Sequence, residues 1–474
     1  MIRLYTPGTG FPDLEAKIAY GLAAIGLEVT DEVEIEEYGG RFIVRIGTDN
    51  AKAINKAFEM FVRRMLTSTH MFFIPGVQAK YRDVYTTADR HGKLKERLLK
   101  YDLTSLYGSR EVIPVNFRSD KLCHHEEIPP LGKSDARKTG GLLLAASTHA
   151  GKPYKKDSVV TNFNTTLCEV CGYIAIIGLA KFAFQNIVGD KKAYRNIVTI
   201  AIPSERLDSS AIKFLMSAQR IVSKKWLTGD ISLRTTPFAL MAKFPSICYS
   251  LKDINTVLHV SAFSPDGRGG FRLDEFTSQS DIPFKKFIGT HPENVATVDR
   301  LLGRQPAVSA IDALYECLQS NDWGYASLFA RLYSKETSKG NYVNLLYPKT
   351  ANYLLKEVCM IPEEIIKDEA INALASTLRH FVLERNYGYV DSIRNARYES
   401  KDFEETIAKL LREAQIRSDP EHKKYVPIPS DEQIRHIFSI ASESEEKFNQ
   451  VKTALSILAF TWHRSEKVNK EEVS

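Results

Sequence analysis

The stretch that decides the fold is the beginning of the chain, which reads MIRLYTPGTGFPDLEAKIAYGLAAIGLEVTDEVEIEEYGGRFIVRI (Met1–Ile46). A strand is predicted over 2–6. Pro12-Asp13 then opens a helix whose apolar residues recur at helical spacing, namely Leu14, Ile18, Leu22 and Ile25. Residues 33–37 and 42–46 alternate in polarity around Tyr38-Gly39-Gly40, which is the pattern of a β-hairpin.

A second amphipathic helix follows this hairpin, marked by Ile54, Phe58, Phe61 and Met65. The resulting β-α-β-β-α order is typical of a small α+β module of ferredoxin-like character. From about 77 to 160, glycines and prolines interrupt any regular period, so this region is predicted to be rich in loops.

Regular patterns return beyond residue 160. They predict a helix near 168–187, a strand over 197–202, a helix capped by Asp208 and a strand over 256–260. Beyond about 346, strand signals disappear and amphipathic helices are predicted over 403–414, 430–441 and 448–462. Such helices with short connections favour an antiparallel bundle. We therefore expect an α+β protein with an N-terminal α+β domain with basic loops (1–160), a middle α/β domain (161–345) and a C-terminal helical bundle (346–474).

Composition excludes several classes of protein. Of 474 residues, 43% are hydrophobic and 26% are charged, which excludes a disordered, collagenous or coiled-coil chain. The longest apolar run, Gly172 to Ala180, ends at Lys181 and is far shorter than the roughly 20 residues that cross a bilayer. The N-terminus lacks the pattern of a secretory signal, so we expect a cytoplasmic protein.

Positive charge is concentrated in the middle of the chain. The net charge is +6, but residues 1–50 contribute −5, residues 51–250 contribute +15 and residues 251–474 contribute −4. A basic block of this kind is typical of a surface that contacts a polyanion, although solvated lysine faces give the same pattern. The candidate nucleic-acid contacts are Lys80, Arg82, Arg90, Lys93, Arg137, Lys138, Lys152, Lys155, Lys156 and Arg268.

Arg268 belongs to the glycine-rich turn 264–270 after the predicted strand 256–260. The simpler interpretation of that turn is a plain hairpin loop. The alternative is a flexible loop that offers Arg268 to a nucleic-acid groove.

The most specific local motif is Cys168-Glu169-Val170-Cys171-Gly172. Two thiolates three residues apart are the usual half of a tetrahedral zinc site, and Cys123 with His124 or His125 could supply the remaining ligands. We take Cys123, His125, Cys168 and Cys171 as the candidate set for a structural zinc ion. The alternative is that the cysteines are simply buried at the start of an apolar helix.

Catalytic signatures are incomplete in this sequence. His125-Glu126 lacks the second histidine of a zinc-protease helix, and Gly132-Lys133-Ser134 has Glu127 where a phosphate-binding loop needs its first glycine. No Gly-x-Ser-x-Gly motif occurs. We therefore expect a protein that is not an enzyme.

Three segments together resemble a known family. They are Leu4-Tyr5-Thr6-Pro7-Gly8-Thr9-Gly10 with 16–23, the mid-chain cysteines, and Asp391-Ser392-Ile393-Arg394-Asn395-Ala396-Arg397-Tyr398 before Asp402-Phe403-Glu404. This combination resembles the large subunit of the archaeal type I-A CRISPR surveillance complex (Cascade), a component of antiviral defence.

The resemblance implies a non-catalytic subunit that contacts the 5′ handle of the guide RNA. It also implies recognition of the protospacer-adjacent motif in target double-stranded DNA, with backbone and small subunits and a helicase-nuclease as further partners. Base pairing with the guide would then read the target sequence while the protein reads duplex edges and backbone.

Two other classes of function stay open. One is a zinc-stabilised RNA-processing or RNA-binding factor, for which the same basic block would contact a different nucleic acid. The other is a metabolic enzyme whose site is assembled from scattered residues such as His70, His149 and His259. Lone histidines are more often structural than catalytic.

Overall fold

The computed structural model describes residues 1–67, 93–109, 121–122, 125, 128, 166–189, 194–222, 232–236, 238, 255–265, 271–302, 306–340, 342–418 and 426–462. The chain forms two compact units, Met1–Lys285 and Lys286–Ser474. The three-domain division at about 160 and 345 stays a prediction.

The first unit begins with the predicted β-α-β-β-α order. Its elements are β1 (Ile2–Tyr5), α1 (Pro12–Leu27), β2 (Val33–Tyr38), β3 (Arg41–Ile46) and α2 (Ala51–Thr67). The three strands form an antiparallel sheet in the order β1-β3-β2. Because β3 lies between the two strands that α1 connects, this is the split β-α-β arrangement of a ferredoxin-like module.

The hairpin between β2 and β3 follows from the alternation of its residues. Val33 and Ile35 are fully buried, whereas the intervening Glu34 is only partly buried. Gly39 and Gly40 have φ values of 59° and 82°, which glycine adopts without steric cost. A two-residue turn of this kind matches the twist of the two strands that it connects.

The remainder of the first unit contains a second, larger sheet. Its elements are α3 (Lys93–Leu98), α4 (Leu103–Tyr107), β4 (Lys121–Leu122), β5 (Thr166–Leu167), α5 (Glu169–Phe182), β6 (Phe184–Gly189), β7 (Tyr194–Pro203), α6 (Ser209–Val222), β8 (Thr256–Pro265) and β9 (Phe271–Ser280). Strands β6 to β9 form an antiparallel sheet in sequence order.

Two sequence expectations concern this second sheet. The helix predicted over 168–187 ends at Phe182, because Phe184 already pairs with Thr199 of β7. Pro265 of β8 pairs with Phe271 of β9, so the glycine-rich turn connects the two strands of a hairpin. Arg268 itself lies outside the described residues.

Helices α1 and α5 pack against each other in the core of the first unit. Helix α1 is apolar around its circumference and is buried from Asp13 to Gly26, as expected of a helix with neighbours on every side. The Tyr20 ring stacks on Phe182 with ring centroids 4.6 Å apart, and its hydroxyl donates to the carbonyl of Ala201. The charges of Asp13 and Lys17 form an ion pair at 3.1 Å within the same buried helix.

The named elements in the described part of the second unit are all helices, joined by non-helical segments. Its elements are the end of α7 (Ile282–Thr290), α8 (Pro292–Leu301), α9 (Val308–Ser320), α10 (Trp323–Thr337), α11 (Pro348–Tyr353), a π-helical turn (Leu354–Val358), α12 (Glu363–Ile366), α13 (Glu369–Leu383), α14 (Gly388–Asn395), α15 (Asp402–Arg417), α16 (Asp431–Glu443) and α17 (Glu445–Leu458). Sheets in the first unit and helices in the second confirm the α+β class.

The three predicted C-terminal helices correspond to α15, α16 and α17. At the start of α16, the Ser430 hydroxyl accepts from the Gln433 backbone and the Gln433 side chain accepts from the Ser430 backbone. This is the predicted capping box. No helix in the described part of the chain is both long enough and apolar enough to cross a membrane.

Candidate metal centre

The two cysteines of the Cys-x-x-Cys motif stand at the N-terminus of α5. Cys168 is the residue that caps the helix, and its Sγ accepts a hydrogen bond from the backbone N–H of Cys171 at 3.3 Å. Residues three apart lie on the same face of a helix, so both sulfur atoms face the same side of the first turn. Both side chains are fully buried.

His125 comes from a distant part of the chain and faces both sulfur atoms. Its Nδ1 lies 3.6 Å from Cys168 Sγ and 3.7 Å from Cys171 Sγ. Its Nε2 lies 3.2 Å from the carbonyl oxygen of Leu106. Because a carbonyl can only accept, Nε2 carries the proton and the lone pair of Nδ1 faces the sulfurs. Metal-bound histidines are oriented by the same kind of hydrogen bond to their second nitrogen.

The spacing of these three ligand atoms fits a metal ion. All three atoms lie within 4.8 Å of one another. With zinc–sulfur bonds of about 2.3 Å and zinc–nitrogen bonds of about 2.0 Å, a tetrahedral site separates sulfur from nitrogen by about 3.5 Å. The observed separations of 3.6 and 3.7 Å are close to that value. His125, Cys168 and Cys171 can therefore hold a metal ion.

Tyr107 of α4 closes one side of this cluster. Its hydroxyl lies 3.1 Å from Cys171 Sγ, and its ring meets the His125 ring edge-on with centroids 5.5 Å apart. The pKa of Tyr107 is raised well above its usual value, first by burial and then by the two neighbouring sulfurs. The hydroxyl therefore stays protonated and can donate to a thiolate, which stabilises a negatively charged sulfur.

Glu169, between the two cysteines in sequence, does not join the cluster. Its fully buried carboxylate accepts from Arg97 Nε at 2.9 and 3.1 Å and from the Tyr101 hydroxyl at 3.0 Å. Burial, and then the nearby Glu169 charge, raise the pKa of Tyr101 to about 12. This ion pair connects the segment 97–101 to the first turn of α5, next to the cysteines.

The predicted four-ligand set is only partly covered by the structure. His125, Cys168 and Cys171 come together, whereas Cys123 lies outside the described residues. Cys123 as the fourth ligand stays a prediction. Cys317 and Cys359 are buried, and burial raises the pKa of the Cys359 thiol to about 12. Both are core thiols.

The predicted nucleic-acid contacts are almost all outside the described part of the chain. This holds for Lys80, Arg82, Arg90, Arg137, Lys138, Lys152, Lys155, Lys156 and Arg268. Lys93 begins α3, but its side chain is not described. These assignments stay predictions.

The scattered histidines of the enzyme alternative have no common site among the described residues. His70 and His149 lie outside them. His259 is buried within the sheet on β8, where its Nδ1 lies 2.9 Å from the Ser278 hydroxyl on the neighbouring strand β9. This is the environment of a structural histidine.

Sequence reasoning missed Tyr107, Arg97 and the structural role of Glu169. Arg97 and Glu169 are 72 residues apart, and no local pattern connects them. The one available signal was the acidic residue placed inside an apolar Cys-x-x-Cys helix start, because a buried carboxylate needs a cation nearby.

A scan against protein-family models finds no match to this chain, and a search of curated proteins finds none either.

Proposed function

We propose that this chain is the non-catalytic large subunit of a CRISPR RNA-guided DNA surveillance complex, stabilised by a structural zinc ion. One observation carries the proposal. Two of the segments on which the family resemblance rests, the opening segment with α1 and the cysteine-bearing helix α5, pack against each other in one core. Features that are far apart in the sequence therefore lie on two helices that pack in one core.

Zinc is the metal that the ligand chemistry favours. Two thiolates and one imidazole are soft to borderline ligands, and zinc prefers them in tetrahedral sites. Both sulfurs are fully buried, so they offer little access for a substrate. This supports a metal that holds α5 and the His125 segment together, rather than one that acts on a substrate.

In this proposal the basic block contacts nucleic acid. Lys80 to Lys156 would bind phosphates of the guide RNA handle and of target double-stranded DNA, and Arg268 would reach a base edge of the protospacer-adjacent motif. The backbone and small subunits and the helicase-nuclease would be protein partners. Zinc has no part in these contacts beyond keeping the first unit folded.

The direct test is purification of the tagged protein from its native host. Bound nucleic acid is sequenced and bound proteins are identified by mass spectrometry, with the tag alone as the control. We expect short RNAs derived from CRISPR repeats together with a repeating backbone subunit. Recovery of the protein by itself contradicts the proposal.

The alternative is a zinc-stabilised RNA-processing or RNA-binding factor, and the same metal cluster is compatible with it. The purification separates the two functions, because that factor would bring down transfer, ribosomal or other RNA without a backbone subunit. Such a result would make the alternative the leading function.

A second test addresses the basic block. Charge reversal by Lys155→Glu with Lys156→Glu should weaken duplex binding by the assembled complex and lower its salt dependence. The control is Lys401→Glu with Lys409→Glu, which reverses two exposed charges in the second unit. Equal affinity of the basic-block variant and the parent across a salt series contradicts the assignment of these lysines.

A further inference from the structure

The second unit contains a large cavity of about 1350 Å³. It is lined by residues from α8, from the segment 342–355, from α12 and α13, and from the end of α17 with the residues that follow it. Its volume exceeds the range of roughly 300–1,000 Å³ that is usual for small-molecule pockets. The cavity can therefore accommodate a ligand larger than a single metabolite.

Aromatic side chains line the opening of this cavity. Leu346 and Thr461 form a parallel β-bridge, in which Leu346 N–H donates to Phe460 and Trp462 N–H donates to Leu346. This bridge holds Trp462 beside the segment that carries Tyr347. Trp462 is 41% exposed and Tyr342 is 68% exposed, so both rings offer faces on which a flat group could stack.

Three cations accompany these rings. The Arg300 guanidinium lies 4.5 Å from the centroid of the Tyr347 ring, and Lys349 is exposed nearby. Arg379 lies deeper, where its Nη2 donates to the carbonyl of Leu458 at 2.9 Å. Among the described residues, no carboxylate lies within ion-pair distance of any of these three cations.

Arg379 is the most unusual of the three. Its Nε is buried and has no acceptor among the described residues. Burial lowers the pKa of its guanidinium to about 10, as expected where no anion compensates the charge. A buried cation without a counter-ion is costly to maintain in a fold. Among the described residues, Arg379 has only neutral acceptors, the Ser376 hydroxyl and the Leu458 carbonyl. The Arg379 side chain lines the cavity, so an anion bound there would compensate its charge.

Among the described residues that line the cavity, the one carboxylate is already engaged. Glu293 Oε2 accepts from the backbone N–H of Lys349 at 2.8 Å. The lining thus has three cations against one carboxylate, and its net charge favours an anion. A ligand that suits this lining carries both negative charge and a flat aromatic group.

We propose that this cavity binds nucleotides, with phosphate on Arg379 and Arg300 and a base stacked on Trp462 or Tyr342. Its size favours a short segment of single-stranded nucleic acid over a free mononucleotide. The residues of this site are not those of the basic block, and the proposal does not rest on the CRISPR assignment.

The test uses the purified full-length protein and two probes. A fluorescently labelled single-stranded (dT) oligonucleotide is titrated by anisotropy across a salt series, and AMP is added as a competitor. Arg300→Gln with Lys349→Gln removes two exposed cations from the cavity, so the fold should be retained. The matched control, Lys335→Gln with Lys409→Gln, removes two exposed cations from the same unit outside the lining.

We expect the cavity variant to weaken oligonucleotide binding by about tenfold or more and to reduce the salt slope by about 0.7 for each phosphate contact that is lost. The control should stay within twofold of the parent. Trp462→Ala should weaken binding about 5-fold to 150-fold, and Trp462→Phe should restore most of the loss because its ring still stacks.

The two probes identify the source of the nucleotide. Competition by AMP with weak oligonucleotide binding supports a free nucleotide, and oligonucleotide binding without competition supports a strand. Equal effects of the cavity variant and its control overturn the proposal. So does absence of saturable oligonucleotide binding, or loss of binding only on charge reversal at Lys155 and Lys156.

Discussion

Gly178 of α5 packs directly against the carbonyl oxygen of Lys17 in α1, with no space between them for a Cβ atom. Gly21 of α1 stands in the same relation to the carbonyl oxygen of Ile174 in α5. The two backbones therefore touch at reciprocal glycines. This contact fixes the helix that begins with Cys168 and Cys171 against the opening segment of the chain.

Gly178→Ala should destabilise the first unit by about 1–3 kcal/mol, because the added methyl group overlaps backbone that cannot move without shifting a whole helix. Chemical denaturation measures the change. The control is Gly289→Ala, where a Cβ meets no atom within 4 Å. That substitution should leave stability unchanged or raise it by up to about 1 kcal/mol. Equal effects at the two positions would contradict the close packing.

The metal centre predicts a dependence of stability on zinc. Purified protein should contain about one zinc ion per chain, and Cys168→Ser with Cys171→Ser should remove it and lower the Tm. Elemental analysis and thermal melting check both results. Cys317→Ala, at a buried thiol of the second unit, is the control and should keep the metal. Protein prepared without chelator that contains no metal would rule out the site.

Cys123 as the fourth ligand can be tested by cobalt substitution. Each thiolate bound to cobalt contributes to the charge-transfer absorption, so the parent protein should show the intensity of three sulfur ligands. Cys123→Ser should reduce the intensity to that of two. An unchanged spectrum would mean that the fourth ligand is another residue.

The buried ion pair of Glu169 predicts an unequal response to two substitutions. Arg97→Ala leaves a fully buried carboxylate with Tyr101 as its remaining described partner. The substitution should cost about 1–3 kcal/mol of stability. This is less than breaking a fully buried ion pair, because Arg97 is itself 42% exposed. Glu169→Gln keeps the shape without the charge and should cost less.

Arg206→Ala provides the control for this comparison. Arg206 forms an exposed pair with Glu34, and its loss should cost less than the loss of Arg97 because solvent screens the pair. Urea unfolding of the three variants measures the loss of unfolding free energy in each and so ranks them. A smaller effect for Arg97→Ala than for Arg206→Ala would contradict a structural role of the buried pair.

The capping box predicts a small and local effect. Ser430→Ala removes the acceptor for the Gln433 N–H and should cost about 1 kcal/mol. Ser439→Ala, at an exposed position within the same helix, should be neutral or slightly stabilising because alanine is the better helix former. Thermal melting of both variants checks the direction of each change in stability. Destabilisation by Ser439→Ala as large as by Ser430→Ala would contradict a capping role for Ser430.

Local patterns predicted much of the secondary structure. The order from β1 to α2, the caps at Asp208 and Ser430, and the three C-terminal helices all depend on residues two to four positions apart. The helix predicted to 187 was too long, because the pairing of Phe184 with Thr199 is a contact between separate strands. The elements described within residues 282–345 are helices, and the middle domain of 161–345 stays a prediction.

The sequence by itself determined the α+β class, the βαββα start, the concentration of basic charge and the paired thiols of Cys168 and Cys171. Only the tertiary structure decided that His125, 43 residues from Cys168, faces both sulfurs. It alone paired Arg97 with Glu169 and gathered Arg300, Arg379 and Trp462 around one cavity. Periodicity records which face of an element is buried, but contacts between distant residues depend on how those faces pack against one another.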